Sequence, residues 1–136
     1  MNVPEAERWL TYARSDLNAG RALLGTSEHY SRQVCFLAQQ AAEKALKALL
    51  VLLEIEFPYT HDLDRLREIV PPGWRVKAKF PKLYALSIWA VESRYPGDMP
   101  DVVEADAQEA LRTAEAVYQI IAEDMQNRLG TRHDRS

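Results

Sequence analysis

Residues 30–54 contain a run that only a helix in the middle of a bundle can satisfy. Ala38, Ala41, Ala42, Ala45 and Ala48 form one sub-face of a 100°-per-residue wheel, and Leu46, Leu49, Leu50 and Leu53 fill the space beside it. Apolar residues cover well over half the circumference, so neighbours must cover this helix on several sides. The alanines let one neighbour approach closely. The remaining wedge is polar: Gln33, Gln40, Lys44 and Lys47, with Glu43 and Glu54 beside it. Two readings of that edge are open. Glu43 and Lys47 are four apart in the favourable order, which suits a solvated edge. The same cations suit an edge that faces a phosphate or a partner.

Four more helices can be placed around this one. Residues 4–24 carry Trp9, Leu10, Ala13, Leu17 and Leu24 at three- and four-residue steps, with Pro4 suited to the first turn and Gly25 to the stop. Residues 60–70 form a short helix that Thr60 can cap, ended by Pro71-Pro72-Gly73. Residues 81–94 form the fourth, which stops before Pro96, where Tyr95-Pro96-Gly97-Asp98 reads as a type II turn. The fifth starts at Asp101, with Glu104 placed as in a capping box, and repeats Val103, Ala107, Ala110, Leu111, Ala114, Val117, Tyr118, Ile121 and Met125. No segment alternates as a strand does. The expected fold is all-α, an up-and-down antiparallel bundle of about five helices. Residues 1–126 make one domain, and residues 127–136 a flexible polar tail.

The charge balance excludes some functions. A net charge of −3 gives no global pull toward nucleic acid or acidic membranes, so any nucleic-acid contact requires a local basic patch. Cys35 is the single cysteine and falls on the apolar side of its helix, where it reads as a small core residue. With no disulfide possible within the chain, a reducing cytoplasm fits best. The opening residues lack the basic-then-apolar run of a secretory signal, and no apolar run approaches the length of a membrane span.

Candidate functional residues are few. His29, His61 and His133 are too scattered for a zinc site, and neither a glycine-rich phosphate loop nor a nucleophile elbow is present. No metal and no cofactor are expected. His61 stands at a helix start beside Asp62. Arg94 lies in the last turn of its helix, on the face of Leu83, Ser87 and Ala90, where a packed stem could carry a guanidinium into a cleft. Lys44 and Lys47 are the cations available for a nucleotide or RNA.

The segments WLTYARSDLNAGRALL, CFLAQQAAEKALKALLV, HDLDRL and SRYPGD, followed by an alanine-rich helix, resemble in order and spacing a prokaryotic HEPN domain. The likeness runs from about residue 6 to residue 125. It implies an all-α bundle that forms a homodimer or larger assembly. It also implies a toxin–antitoxin-like pairing with a minimal nucleotidyltransferase, and association with RNA or nucleotide. Many members of the family are metal-independent ribonucleases whose site joins an arginine to a histidine four to six residues later. There the arginine stabilises the developing phosphorane charge and the histidine moves the 2′-hydroxyl proton. Arg94 matches that arginine, but residues 95–100 contain no histidine. Two alternatives follow: His61 or a tyrosine takes the missing role through space, or the protein binds nucleotide or RNA without cutting it. A non-catalytic helical dimer is the third.

Overall fold

The computed structural model describes residues 1–92 and 101–134. Among them the fold is all-α: α1 (Val3–Leu24), α2 (Ser31–Leu52), α3 (Leu63–Ile69), α4 (Arg75–Lys79), α5 (Tyr84–Ser87), α6 (Trp89–Glu92) and α7 (Glu104–Asp134). Three long helices build the bundle. The short ones lie along one side of it, four segments where the sequence pattern suggested two.

As its composition demands, α2 is central. Fourteen of its 22 residues are buried, from Val34 to Leu52, and they include the alanine sub-face and Leu46, Leu49 and Leu50. The helices α1 and α7 pack on either side, with α3, α5 and α6 closing the remainder. The apolar surface of α2 is therefore largely hidden within one chain. At Gly20 the long helices approach closely: a Cβ built there would stand 3.1 Å from Leu111 Cδ2 and 3.7 Å from Leu37 Cβ.

Local chemistry sets the ends. Asn2 caps α1, its side chain accepting from the Glu5 N–H, Pro4 lies in the first turn, and Gly25 ends the helix as expected. At the end of α2, Glu54 adopts a left-handed φ of 56°. Its N–H donates to Val51 O, and the Ile55 N–H donates to Leu50 O at 2.9 Å, the paired bonds of a Schellman turn. The cap of α3 is Asp62, which accepts from the N–H groups of Asp64 and Arg65; Thr60 instead accepts from the Asp62 N–H. At the start of α7 the back-bond of a capping box lies two residues later than expected, without the reciprocal side-chain bond: Asp106 accepts from the Val103 N–H. The same helix runs on to Asp134, through the stretch expected to be a polar tail. Arg128 there stacks 3.6 Å above the Trp74 ring and donates to Gly73 O. Arg94 and the turn at 95–98 lie outside the described residues.

Two polar clamps tie α7 to its neighbours. Arg14 of α1 holds both oxygens of Glu115 of α7 at 2.8 and 2.9 Å and lies over the Tyr118 ring. Asp124 of α7 accepts from both the backbone N–H and the Nε of Arg75 at the start of α4.

Candidate functional site

The polar edge of α2 does not face water as a whole. Gln39, Glu43 and Lys47, spaced four apart, turn inward and are buried. Desolvating a carboxylate and an ammonium is costly unless every charge is met. Here the charges are met. Lys47 Nζ donates to Glu43 Oε2 at 2.9 Å. On the other oxygen, Oε1, His61 Nδ1 lies at 2.8 Å and Gln39 Nε2 at 3.2 Å.

Gln39 is the clamp of this cluster. Its Nε2 donates both to Glu43 and to the His61 carbonyl at 3.1 Å, and its Oε1 accepts from Gln40 Nε2 at 2.7 Å. One amide thus positions the carboxylate and the backbone of the histidine it orients. Gln39 was absent from the sequence-derived candidates because its wheel position borders the apolar face. The signal that could have found it is the four-residue ladder Gln39, Glu43, Lys47.

His61 reaches Glu43 because the Schellman turn at Glu54 reverses the chain and residues 55–62 run back along α2. The imidazole is about one-third exposed while Glu43 is almost wholly covered. Tyr59 packs edge-on against it, with ring centroids 5.5 Å apart. Trp9, Phe57 and Tyr59 surround Lys47 Nζ with ring centroids at 5.8 to 6.0 Å, near the limit of cation–π attraction.

Burial alone pushes the Glu43 carboxyl upward, but hydrogen bonds from Lys47, His61 and Gln39 outweigh it and hold the group below the usual carboxylate range. Glu43 is therefore ionised, and the Nδ1 edge of His61 donates to it. In a neutral ring this fixes the tautomer and leaves Nε2 as a basic nitrogen. A buried carboxylate orienting a partly exposed imidazole can make that imidazole a general base.

The other candidates separate. Lys44 pairs with Asp16 of α1 at 2.5 Å, and Lys47 pairs with Glu43, so the acids of the fold already oppose both cations. Arg94 lies outside the described residues. Cys35 is buried, and its thiol is pushed up to about 12, by burial first and Asp106 second, as befits a core residue. No group of His, Cys, Asp and Glu among the described residues is arranged to hold a metal ion. No helix among them is long and apolar enough to cross a membrane.

The family profile of the HEPN domain matches residues 6–125. This chain belongs to the HEPN domain family. The HEPN chain is 28% identical over 144 aligned residues to the protein named "Putative toxin MJ1304" of Methanocaldococcus jannaschii, the match covering 95% of this chain and 93% of that one. Its fold is similar to the crystal structure of TT1696 from Thermus thermophilus, with a TM-score of 0.75 and 27% identity over 90% of this chain and 98% of that one. It is also similar to ST0689, an archaeal HEPN homologue, with a TM-score of 0.63 and 26% identity over 88% of this chain and 96% of that one.

Proposed function

We propose that this HEPN protein acts on RNA as the toxin-like half of a toxin–antitoxin-like pair, with a minimal nucleotidyltransferase as its partner. We further propose that the Glu43–His61 pair moves the proton. The observation that carries this reading is the 2.8 Å contact between His61 Nδ1 and the buried, ionised Glu43. It supplies an oriented imidazole to a chain that lacks a histidine in the six positions after Arg94. The likeness to a protein named as a toxin supports the toxin-like role.

In this reading His61 Nε2 accepts the proton of a ribose 2′-hydroxyl as that oxygen attacks the adjacent phosphorus. The 5′-oxygen leaves and takes up a proton, giving a 2′,3′-cyclic phosphate and a 5′-hydroxyl end. Arg94 stabilises the charge on the phosphoryl oxygens. Lys47 and Gln39 are positioning residues: they keep Glu43 ionised and aimed. Lys44, paired with Asp16, contacts a phosphate only by opening that pair. The protein works as a homodimer or larger assembly.

A second reading, binding of RNA or nucleotide without cleavage, keeps Arg94 and gives His61 only a contact. Incubating the purified protein with labelled RNA in EDTA tests the choice. Products with cyclic phosphate ends support cleavage; binding without products supports the second reading; neither binding nor cleavage removes both. Co-purification with a minimal nucleotidyltransferase co-expressed with it tests the pairing.

A further inference from the structure

The longest stretch without an acidic side chain runs over residues 69–91. Its 23 residues hold Arg75, Lys77, Lys79 and Lys82 in a chain where 20 of 136 residues are Asp or Glu. A chain of net charge −3 thus keeps one segment wholly cationic. The four cations are not equivalent. Arg75 is held by Asp124. Lys77 donates to the carbonyls of Glu68 and Val70 and so ties α4 to the end of α3. Lys79 and Lys82 are exposed and enter no ion pair or hydrogen bond among the described residues. Next to them in the chain are the half-buried Phe80 and Tyr84, the latter 69% exposed.

This strip is fastened to the loop that carries His61. The Leu83 N–H donates to Asp64 Oδ1 at 2.6 Å, and the Leu63 N–H donates to Ser87 Oγ at 2.8 Å. Residues 83–87 are therefore pinned to the second and third residues after His61. Free ammonium groups beside an exposed ring are what a single strand requires: phosphates take the cations, and a base stacks on the ring. An acidic protein would use the charges without requiring the phenol.

We propose that the strip from Lys79 to Tyr84 is a docking surface for single-stranded RNA, placing phosphates on Lys79 and Lys82 and a base on Tyr84, and leading the strand toward His61. The proposal rests on the RNA-directed reading above and adds a contact surface outside the Glu43–His61 pair.

Fluorescence anisotropy with a labelled oligouridylate about 12 nucleotides long, titrated across a series of salt concentrations, tests it. The wild type is compared with K79A/K82A, with Tyr84→Ala and with R8A/R112A, which removes two exposed cations elsewhere. Circular dichroism checks that each variant is folded. K79A/K82A should bind more weakly, with a log–log salt slope shallower by about 1.4, roughly 0.7 per lost phosphate contact. Tyr84→Ala should bind at least about fivefold more weakly with its salt slope kept. R8A/R112A should match the wild type. The strip is wrong, and the RNA-directed reading stands, if the wild type binds and K79A/K82A binds equally well. It is also wrong if R8A/R112A loses as much. A wild type that ignores the oligonucleotide but binds poly-glutamate through Lys79 and Lys82 overturns both, and makes the strip a site for an acidic protein.

Discussion

His61 Nδ1 lies 2.8 Å from Glu43 Oε1, so an imidazole about one-third exposed is bonded to a carboxylate that the bundle has almost sealed from water. The two residues are 18 apart in sequence. They meet because α2 ends in a left-handed residue and the following loop folds back along the helix.

Glu43 and Lys47 form the first testable pair. Breaking a buried ion pair leaves an uncompensated charge, so Glu43→Gln and Lys47→Ala should each cost about 3–5 kcal/mol. The double variant should cost clearly less than the sum. The folded-state pKa of Glu43 is depressed. Its contribution is therefore fully present above the ordinary glutamate value of about 4.3 and lost as pH falls through the lower, folded value. Urea denaturation at several pH values should show this acid-side loss in the wild type and a flatter profile in Glu43→Gln.

Leu49, wholly buried in α2, tests the core. Leu49→Ala should lower stability by about 2–5 kcal/mol through lost transfer energy and a residual cavity. A denaturation midpoint equal to that of the wild type would mean the packing around α2 is misassigned.

Cys35 should behave as an inert thiol. Its proton is held to about 12 and its side chain is covered. A thiol reagent at neutral pH should label it only as fast as the protein unfolds, and at once in denaturant. Rapid labelling of folded protein would contradict the burial.

Association is a separate expectation. With most of α2 covered by its own chain, a dimer must use outer surface, where Tyr12, Tyr30 and, near the start of α2, Phe36 are exposed. Light scattering at micromolar concentration should give at least twice the chain mass of 15.5 kDa. A monomer would remove the homodimer from the proposal.

The long helices were legible because periodicity and composition agree along them: α1 and α2 begin and end within about two residues of their sequence-derived limits. The side of the bundle was not. Residues 75–92 break into three short segments: proline stands at 81, and Phe80, Tyr84 and Trp89 do not share one buried stripe, Tyr84 being exposed. Glu54 gave no sign of its left-handed turn, since glycine or asparagine usually marks such an end. His61 stood out as a residue, but its partner did not, because a contact across 18 positions depends on the loop's path. For Lys47 the spacing left two readings open, a solvated pair with Glu43 or a phosphate-facing cation; only the fold shows that the pair forms and is buried.

The measurement that bears most directly on the central claim is the rate of RNA cleavage in EDTA by the wild type, His61→Ala and Glu43→Gln, each shown to be folded. The account predicts cleavage by the wild type, giving cyclic phosphate ends. It predicts a loss on the order of 10²–10⁴-fold in His61→Ala, with RNA binding retained, and a marked loss in Glu43→Gln. His61→Ala cleaving at the wild-type rate, or a wild type that binds RNA without cutting it, would contradict the assignment of the Glu43–His61 pair.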